Sequence, residues 1–558
     1  CHWPRRKPQM SNSLKVIIIG GVAGGMSAAT RLRRLREDAQ ITVYEMGEHV
    51  SYANCGLPYY LSDVIADRNS LLLQTPTSLH NRFNLDVRVH TVVTRINRDD
   101  KTVNVTNLQT GEEYVDHYDK LIISTGAKPR KLPIPGINRA MTLRNVTDAD
   151  AVKAMVERSG KGPAVILGAG FIGIELAENL AHIGVPTTIV QRGSSILSLF
   201  DTEMIQPLQE RLRDNGVQIV TNAEPVEITA DAVILRDGRN LPAQIVFAAA
   251  GVVPDNSLAR EAGLKMGDTG GVWVDDQQRT SDPDIYAAGD AVEKPHYLTG
   301  AQTLIPLANL ANRHGRLAAD SIAGLEPKAH AALGTVIIGA FGFATAITGL
   351  SERAAKKAGI KYTAIHLHPG SHAGYYPGAK RVSLKVLFDP TTGKLLGAQG
   401  NGEDGVDKRI DVIATAIHGG LTVDDLMDLE LAYAPQFGSA KDAINQAGYV
   451  GNNVLHGTTE TVQWHELEAE MAKGAVLVDV RTETENSAGS IPGAINIPVD
   501  ELRARRDEIS PENVIVHCQV GQRGHTATQI LKAHGFNVRN LDGGYITWKA
   551  GVDGSKNV

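Results

Sequence analysis

Cysteine is scarce in this sequence, with three residues in 558, at positions 1, 55 and 518. So few thiols cannot form the disulfide framework of a small secreted scaffold. Their scarcity favours a reducing, cytoplasmic location. Each thiol is therefore considered by itself, and its surroundings have to indicate its chemistry.

Long apolar runs, aromatic residues and an excess of positive charge are also missing. No run reaches the roughly 18 apolar residues of a membrane span. Aromatic residues make up 5% of the chain, and the formal net charge is -6. The sequence thus predicts neither a membrane nor a nucleic acid as a partner. The 56 glycines and the 42% hydrophobic content favour an α/β fold with glycine-rich turns.

The length of the chain predicts several domains. At 558 residues one hydrophobic core is too small, and about four domains of ordinary size are expected. Residues 1–12 begin with a basic stretch that lacks the apolar region of a secretory signal. We interpret them as a disordered tail or a cloning-derived extension, with a targeting role as the weaker alternative and Cys1 chemically incidental.

Cys55 lies in the stretch SYANCGLPYY, residues 51–60, just after the predicted strand Ile41–Glu45. A redox centre that stores two electrons as an internal disulfide needs a second cysteine, but the position five residues on is Tyr60. Cys55 therefore needs an external sulfur partner or has to be oxidised alone. An inert, buried cysteine is an equally good interpretation of this stretch by itself.

A dinucleotide-binding pattern opens the chain. Lys15–Ile19 predicts a buried strand, and the sequence GGVAGG follows at residues 20–25, before a predicted helix. Backbone amides in such a turn approach a pyrophosphate at the helix N-terminus, although Val22 stands at the middle glycine of the usual motif. A carboxylate at the end of the next strand can bind ribose hydroxyls. The candidate dinucleotide residues are Gly20, Ala23, Gly24, Gly25 and Glu45.

A second copy of this pattern is more regular. The strand Ala164–Leu167 leads into GAGFIG, and a further strand ends at Gln191 and Arg192. NAD-binding units usually have an acid there, so its absence weakens the preference for NADH, and Arg192 can receive a 2′-phosphate. A solvated surface charge is an equally good interpretation of Arg192. The candidate NAD(P) residues are Gly168, Gly170, Gly173, Gln191 and Arg192.

Two further junctions between a strand and a turn complete the pattern. Thr125 and Gly126 follow the run Leu121–Ser124, and Asp290 follows Ile285–Gly289. Asp290 can accept hydrogen bonds from the ribityl hydroxyls of a flavin. The alternative is that Asp290 caps the next helix.

The two glycine turns, the TGA turn and the AAGD turn resemble, in this order, the flavoprotein disulfide reductases, which use FAD and a nicotinamide. The stretch around Cys55 is similar to the single-cysteine coenzyme A disulfide reductases. The related NADH oxidases and peroxidases also use one cysteine, but they carry a histidine where Ala23 stands. The resemblance therefore implies reduction of a disulfide and counts against reduction of oxygen or peroxide.

The same resemblance covers Pro306–Arg313 and implies a coenzyme A site. Arginine binds phosphates through two parallel hydrogen bonds, and two arginines three residues apart share a helix face. We expect the neighbouring Arg33 and Arg36 to form a solvated basic face instead. The coenzyme A contacts implied are Arg31, Arg34, Ser51, Asn54, Asn309 and Arg313.

From about residue 334 to residue 450 the pattern becomes rich in strands and resembles the dimerisation domain of these reductases. This implies a homodimer. Tyr375 and Tyr433 lie in segments that match those whose tyrosines reach the cysteine of the partner subunit. A phenol there can donate a hydrogen bond to a thiolate. Tyr376 is the alternative to Tyr375.

The third cysteine opens a different loop. The predicted strand Val514–His517 runs into Cys518 and the sequence CQVGQRG, followed by a predicted helix. Amides of such a loop and the helix N-terminus favour a thiolate and stabilise an anionic persulfide. A phosphatase-like loop needs an arginine six residues after the cysteine, but Arg523 is five residues on.

The segments VDVR, IPGAINIP and CQVGQRG together resemble a rhodanese domain. The resemblance implies that Cys518 accepts sulfane sulfur and that Arg523 binds an anionic donor. Ser490 departs from the histidine common in such domains but lies away from the loop.

The predicted fold class is α/β, with two Rossmann-like domains, for FAD and NAD(P), an α+β dimerisation domain and a C-terminal α/β rhodanese domain. The predicted bounds are 13–145 and 278–327 for the FAD-binding domain, 146–277 for the NAD(P)-binding domain, 328–450 for the dimerisation domain and 451–558 for the rhodanese domain.

The resemblance implies an NAD(P)H-dependent flavoprotein that reduces coenzyme A persulfide, coenzyme A disulfide and polysulfide through Cys55, with FAD, NADH or NADPH, and coenzyme A. Cys518 would handle sulfane sulfur. No metal site is predicted. The alternatives are an NADH oxidase or peroxidase, and a sulfurtransferase whose flavin half senses redox state.

Overall fold

The computed structural model describes residues 13–556. The predicted tail, residues 1–12 with Cys1, lies outside the described residues. Among the helices of residues 13–556, none has the length and hydropathy that crossing a membrane requires.

The strands are listed here in chain order. They are β1 (Lys15–Ile19), β2 (Gln40–Tyr44), β3 (Asp86–Arg88), β4 (Thr91–Asn97), β5 (Thr102–Asn107), β6 (Glu113–His117), β7 (Lys120–Ile123), β8 (Ala127–Pro129), β9 (Ala164–Leu167), β10 (Thr187–Val190), β11 (Gln218–Val220), β12 (Pro225–Ile228), β13 (Ala232–Leu235), β14 (Asn240–Pro242), β15 (Ile245–Ala248), β16 (Val252–Pro254), β17 (Ile285–Ala287), β18 (Lys294–Pro295), β19 (Gln302–Thr303), β20 (Val336–Ala340), β21 (Phe343–Gly349), β22 (Thr363–Leu367), β23 (Val382–Phe388), β24 (Leu395–Gly402), β25 (Thr461–Val462), β26 (Val476–Asp479), β27 (Ile495–Asn496), β28 (Val514–His517) and β29 (Val538–Leu541).

The α-helices follow the same order. They are α1 (Ala23–Leu35), α2 (Leu57–Leu61), α3 (Pro76–Phe83), α4 (Val146–Arg158), α5 (Phe171–His182), α6 (Thr202–Asp214), α7 (Ser257–Glu261), α8 (Ala308–Ile322), α9 (Glu352–Lys357), α10 (Val406–His418), α11 (Ala443–Leu455), α12 (Leu467–Ala472), α13 (Glu483–Ser487), α14 (Leu502–Arg505), α15 (Gln522–Lys532) and α16 (Gly544–Ser555).

The chain forms two compact units. The first comprises the described residues of Cys1–Pro133, together with Ile137–Lys161 and Phe247–Ala332. The second comprises Ile134–Gly136, Gly162–Val246 and the described residues of Leu333–Val558. The α/β fold class predicted from the sequence is confirmed, whereas the predicted domain bounds stay predictions.

The first unit is built on a parallel sheet with the strand order β17-β7-β1-β2-β3. β1 lies in its middle and is buried from Val16 to Ile19, as expected for a strand covered on both faces. The turns after β1, β7 and β17 leave the sheet at the carboxyl edge of parallel strands. This is the edge where α/β sheets bind ligands.

Helices α1 and α8 of the first unit pack closely against each other. A Cβ atom added to Gly315 would lie 2.0 Å from the carbonyl oxygen of Gly24, so the two backbones approach at a distance that only glycine permits. The Ser27 hydroxyl also donates a hydrogen bond to Asn312 Oδ1 at 2.7 Å. The N-terminal ends of both helices are thereby held beside the turn after β1.

The second unit contains three sheets that carry candidate site residues. The first has the order β11-β10-β9-β15, with β9, β10 and β11 parallel. The next is antiparallel, in the order β20-β21-β24-β23-β22, and β24 is buried along its whole length. The last is parallel, in the order β25-β29-β28-β26-β27, and places the residue after β28 at its carboxyl edge.

Candidate active site

Cys55 lies in a 3-10 helix, Asn54–Gly56, which runs directly into α2. Its side chain is exposed. The amide oxygen Oδ1 of Asn54 accepts a hydrogen bond from the Cys55 backbone N–H at 3.1 Å and lies 3.7 Å from Cys55 Sγ. The first unit therefore presents the thiol at the surface, and the interpretation of Cys55 as a buried, inert cysteine is wrong.

Tyr60, at the position where a second cysteine would stand, is a packing residue. It is buried, and its hydroxyl donates to Asp150 Oδ1 at 3.3 Å. The ammonium group of Lys153 lies 4.4 Å from the centre of the Tyr60 ring. No cysteine besides Cys55 and Cys518 occurs in the described part of the chain. The described residues of the first unit thus offer Cys55 no second thiol.

Cys55 lines a cavity of about 510 Å³, a volume in the range of small-molecule sites. We call it the Cys55 cavity. Its walls combine apolar side chains with two arginines and several amides and hydroxyls. The lining residues are Val22, Ala23, Met26, Ser27, Thr30, Arg34, Ser51, Tyr52, Ala53, Asn54, Cys55, Leu73, Gln74, Leu79, Arg82, Phe83, Ala308 and Asn312.

Three of the six predicted coenzyme A contacts, Arg34, Ser51 and Asn54, line this cavity. Asn309 and Arg313 are exposed on α8 but are not lining residues. Arg31 also lies outside the lining, because its Nε atom donates to Asp320 Oδ1 at 2.5 Å. The guanidinium of Arg31 is thereby committed to a carboxylate of α8.

Arg82, which the sequence reasoning missed, is the second arginine of the cavity. It is exposed in the last turn of α3, and the neighbouring Phe83 ring lies 5.1 Å from the guanidinium carbon of Arg34. The sequence signal for Arg82 was a basic residue next to an aromatic residue near the end of a predicted helix. Arg82 is 27 residues from Cys55 in the sequence, so local spacing did not show that the two residues line the same cavity.

Arg33 contradicts the expectation of a solvated basic face. It is buried, and its guanidinium donates hydrogen bonds to backbone carbonyls at the ends of α1 and α3. These carbonyls have no partner within their own helices, so a buried arginine satisfies them. Arg36, by contrast, pairs with Asp38 at the surface. The accepting carbonyls belong to Phe83, Asn84, Arg36, Glu37 and Ala39.

The first glycine turn has the geometry of a dinucleotide site. Gly20 has φ +100°, and an added Cβ would lie 2.2 Å from Ser124 O. A Cβ on Gly25 would lie 1.8 Å from Gly20 O. Glu45 Oε2 accepts a hydrogen bond from the Gly21 N–H at 2.8 Å and so reaches the turn. Only glycine fits at Gly20 and Gly25, so the turn is tight enough for its backbone amides to approach a pyrophosphate. The carboxylate of Glu45 lies beside the turn, where it can bind a ribose.

Asp290 supplies an independent sign of a flavin. Its Oδ1 atom is buried and has no hydrogen-bond partner among the described residues. Burial raises the pKa of Asp290, against the opposing effect of Lys294, and burial lowers the pKa of Lys294 to about 8. Asp290 lies inside a 3-10 helix that Ala288 caps, so the interpretation of Asp290 as a helix cap is wrong. An unpaired buried acceptor beside the first glycine turn fits the hydroxyls of FAD.

The turn after β7 is shaped by the segment near residue 255. The hydroxyl of Thr125 donates to the Asp255 carbonyl at 2.5 Å, and the Asp255 N–H donates to Gly126 O at 2.9 Å. Gly126 has φ +72°, a conformation that favours glycine. This turn therefore lies, with the first glycine turn and Asp290, at one edge of the sheet.

The second glycine turn, in the second unit, is equally tight. Gly168 has φ +115°, and a Cβ on Gly173 would lie 2.1 Å from Gly168 O. Gly170 is the N-cap residue of α5, which leaves the first amides of that helix for a ligand. Gln191 Oε1 accepts a hydrogen bond from Ala169 N–H at 3.2 Å, and Arg192 beside it is exposed. These residues fit the pyrophosphate and the ribose of a nicotinamide dinucleotide.

Cys518 follows β28 and is buried in the loop that leads into α15. The Gly521 N–H donates to Cys518 Sγ at 3.2 Å, and the Tyr545 N–H donates to Cys518 O at 2.8 Å. A Cβ on Gly544, the first residue of α16, would lie 2.4 Å from Cys518 O, so the start of α16 packs closely against the cysteine loop. The loop thus holds its sulfur at a helix N-terminus, where an anion is stabilised.

Arg523 is engaged by a carboxylate in this structure. Its two terminal nitrogens donate to Glu485 Oε2 at 2.7 Å and to Glu485 Oε1 at 2.6 Å. The bond to Arg523 lowers the pKa of Glu485 to about 2. An anionic sulfur donor therefore has to share or displace this carboxylate before Arg523 can bind it.

The two predicted tyrosines lie together at the surface of the second unit. The hydroxyl groups of Tyr375 and Tyr433 are 3.0 Å apart, and the residues are 76% and 49% exposed. Their hydrogen bond raises the pKa of Tyr433. Tyr376 instead packs edge-on against His372, with ring centres 5.7 Å apart. The two hydrogen-bonded phenols thus face away from the packed interior of this unit.

Two dinucleotide-binding turns, one exposed cysteine beside a cavity and a second cysteine in an anion-binding loop define a flavin- and nicotinamide-dependent thiol–disulfide oxidoreductase. The family of pyridine nucleotide-disulphide oxidoreductases matches residues 14–315, and the dimerisation domain of that family matches residues 338–444. A rhodanese-like domain matches residues 463–551. The chain belongs to the pyridine nucleotide-disulphide oxidoreductase family, and its predicted fusion to a rhodanese domain is confirmed.

Relatives and solved structures agree with this assignment. The coenzyme A disulfide reductase of Staphylococcus haemolyticus is 34% identical over 78% of this chain and 98% of its own length. The reduced Bacillus anthracis CoADR-RHD structure is 43% identical, covers 98% of this chain and 99% of its own, and has a TM-score of 0.95. An NAD-dependent persulfide reductase from A. fulgidus is 37% identical, covers 96% of this chain and 100% of its own, and has a TM-score of 0.91.

The position of Gln191 beside the second glycine turn predicts the coenzyme preference. The substitution Gln191→Glu should raise the ratio of kcat/KM for NADH over NADPH about tenfold or more, because a carboxylate binds ribose hydroxyls and repels a 2′-phosphate. Steady-state rates with both coenzymes measure it. Gln218→Glu, the same change on the neighbouring strand β11, is the control. An unchanged ratio in Gln191→Glu would contradict the assignment.

Proposed function

We propose that this protein is an FAD-dependent, NAD(P)H-driven reductase of coenzyme A disulfide and coenzyme A persulfide. Cys55 is the reacting thiol, and the rhodanese domain handles sulfane sulfur at Cys518. One observation supports this most strongly: Cys55 shares its cavity with Arg34 and Arg82. A thiol and two cations in one site suit a substrate that carries both sulfur and phosphate.

The cofactor sites are carried by this chain's own turns. FAD, when bound, supplies the two-electron chemistry that connects a nicotinamide hydride with the reduction of sulfur. The turn from Gly20 to Gly25, Glu45, Thr125, Gly126 and Asp290 would hold it. The turn from Gly168 to Gly173, with Gln191 and Arg192, would hold NADH or NADPH.

Cys55 performs the exchange at sulfur. Its thiolate attacks one sulfur of coenzyme A disulfide, the S–S bond breaks, and coenzyme A leaves as a thiolate. With coenzyme A persulfide, attack at the inner sulfur gives the same mixed disulfide and releases hydrosulfide. Attack at the outer sulfur gives a Cys55 persulfide and coenzyme A thiolate. Two electrons from NAD(P)H then break the new S–S bond and restore the Cys55 thiolate: the mixed disulfide releases coenzyme A thiolate, and the Cys55 persulfide releases hydrosulfide.

Cys518 supplies sulfane sulfur in this account. Its loop directs the Gly521 N–H at the sulfur, which stabilises an anionic persulfide on Cys518. The pantetheine arm of coenzyme A is flexible and can carry the sulfur as a coenzyme A persulfide. Both cysteines act as thiolates, so the chemistry needs a reducing compartment, and we propose a cytoplasmic location.

The substitution Cys55→Ser tests the proposed function directly. It should reduce NAD(P)H-dependent reduction of coenzyme A disulfide to background, because serine cannot form the mixed disulfide. Cys518→Ser is the matched control and should retain this activity while losing sulfur transfer from thiosulfate. Reduction of coenzyme A disulfide at the wild-type rate by Cys55→Ser would refute the proposal.

Arg82 is predicted to bind a phosphate of coenzyme A. Arg82→Ala should raise the KM for coenzyme A disulfide about tenfold or more, the size of one lost charged hydrogen bond. The KM for pantethine, the corresponding disulfide without phosphates, should stay unchanged. Arg36→Ala, which removes a surface arginine paired with Asp38, is the control. Equal increases in KM for both disulfides would exclude a phosphate contact.

The dimerisation domain matched by this chain suggests a homodimer. We propose further that Tyr375 and Tyr433 reach Cys55 of the partner subunit. Support comes from their exposure and from the short link between their segments, where the Ala373 N–H donates to Gly438 O at 2.9 Å. Buried Arg409 also binds both segments, because its guanidinium donates to Ser371 O at 2.7 Å and to Asp442 Oδ2 at 2.7 Å. The two phenols are thereby presented as one rigid pair.

The double substitution of Tyr375→Phe and Tyr433→Phe measures the contribution of the phenols. It should lower kcat for coenzyme A disulfide about a hundredfold, as expected for the loss of a positioned proton donor. Tyr376→Phe is the control, since Tyr376 packs on His372. An unchanged kcat in the double variant would show that the pair only packs at the dimer interface.

A further inference from the structure

A buried histidine joins three parts of the second unit. His366, on β22, lies between Asp542, the residue after β29, and Glu203, in the first turn of α6. His366 Nδ1 is 2.6 Å from Asp542 Oδ2, and His366 Nε2 is 3.0 Å from Glu203 Oε1. All three side chains are buried. One imidazole ring of the antiparallel sheet thus forms hydrogen bonds with the rhodanese domain and with α6.

The geometry defines the charge of this ring. Each ring nitrogen faces a carboxylate oxygen, so each has to carry a proton, and the ring is an imidazolium. Burial by itself lowers the pKa of His366, but the carboxylates of Asp542 and Glu203 outweigh that effect and raise it to about 9. His366 is therefore a cation at neutral pH.

The positive charge of Lys385 compensates the negative charges of three carboxylates, including that of Glu203. Its Nζ atom lies 2.9 Å from Asp201 Oδ2, 2.5 Å from Glu203 Oε1 and 2.6 Å from Glu352 Oε1. These three carboxylates surround an ammonium group and form an ion-pair cluster with it. The charged and titratable groups that face His366 or its direct partners are Glu203, Asp542, Lys385, His368, Asp201, Glu352, Tyr362 and Lys356.

His368, the residue after β22, is neutral. Its ring nitrogens lie 2.8 Å from Ser383 Oγ and 2.8 Å from Thr547 Oγ1, and burial lowers its pKa to about 3. Thr547 belongs to α16 of the rhodanese domain. This contact therefore adds a hydrogen bond across the same junction but no charge.

Asp542 connects the histidine to the cysteine loop. Its Oδ1 atom accepts a hydrogen bond from the backbone N–H of His366 at 3.1 Å. Gly543 and Gly544 follow, with φ +66° and +62°, and a Cβ on Gly543 would lie 2.7 Å from His366 Cβ. The next residue, Tyr545, donates its N–H to Cys518 O. The Cys518 carbonyl is thus linked through Tyr545 to a turn whose first residue, Asp542, is bound by His366 and also by Gln463.

We propose that His366 is a positioning residue for sulfur transfer at Cys518. The imidazolium holds Asp542, and through it the turn Asp542–Gly544 that supports the Cys518 loop. The rhodanese chemistry thereby depends on a histidine that lies outside the rhodanese domain. This inference extends the proposed function by naming a residue that supports its second thiol.

The sign of the pH dependence follows from the raised pKa. A group with a raised pKa in the folded state contributes its full stabilisation below its unfolded pKa, about 6.5 for histidine. The contribution is lost as the pH rises through the folded value, about 9 for His366. The support of the Cys518 loop should therefore be complete below about pH 6.5, decrease above it and disappear as the pH rises through about 9.

The substitution His366→Gln in the full chain tests the proposal. Sulfur transfer from thiosulfate to an acceptor thiol should fall about tenfold or more near pH 7, because a displaced reacting group loses much of its rate. The rate at which iodoacetamide alkylates Cys518, measured by peptide mass, should also differ from the wild-type rate. Reduction of coenzyme A disulfide should stay within about twofold of the wild type, since Cys55 lies in the other unit.

The pH profile separates positioning by charge from a merely structural role. The ratio of wild-type to His366→Gln sulfur transfer should approach one as the pH rises through about 9. A ratio near one at neutral pH, or a ratio that stays constant with pH, would overturn the proposal. His456→Gln, at an exposed histidine that pairs with Asp424, is the control and should behave as the wild type.

A second variant tests the proposal in case His366→Gln does not fold. Asp542→Asn keeps the shape of the side chain but removes the charge that faces His366, and it should show the same selective loss. A folded Asp542→Asn protein with wild-type sulfur transfer and Cys518 alkylation would also overturn the proposal. If the wild type and all variants fail to reduce coenzyme A disulfide, the proposed function is wrong. The role of His366 is still decided by the sulfur-transfer rates.

Discussion

Cys55 has no second cysteine among the described residues of its own unit. Tyr60 fills that position and is buried, with its hydroxyl bonded to Asp150. A thiol that cannot close an internal disulfide has to pair with a sulfur from a substrate or from another part of the protein. The cavity that Cys55 lines, with Arg34 and Arg82 in its wall, and the second thiol at Cys518 are both compatible with this requirement.

Local features of the sequence predicted the fold and the dinucleotide sites. The glycine turns at Gly20–Gly25 and Gly168–Gly173 could be predicted because a short, tight turn between a strand and a helix is determined by neighbouring residues. The loop at Cys518 is local for the same reason. The family comparisons confirm the domain classes that these motifs indicated.

Contacts between distant residues were not predictable in this way. Arg31 and Arg34 share a helix face in the sequence pattern, but Arg31 donates to Asp320, 289 residues away, whereas Arg34 lines the Cys55 cavity. Arg33 satisfies carbonyls at the end of α3, 50 residues on, and is buried instead of solvated. The pairing of His366 with Asp542 spans 176 residues. Burial and charge pairing decide the role of each of these residues, and neither can be inferred from local spacing.

In the proposed mechanism Cys55 takes its second sulfur from coenzyme A. Peptide mass analysis of the full chain, after incubation with coenzyme A disulfide in the absence of NAD(P)H, detects this step. We expect a coenzyme A adduct on the peptide that contains Cys55, and its removal by a thiol reductant. An unmodified Cys55, or an adduct confined to Cys518, would refute the mechanism.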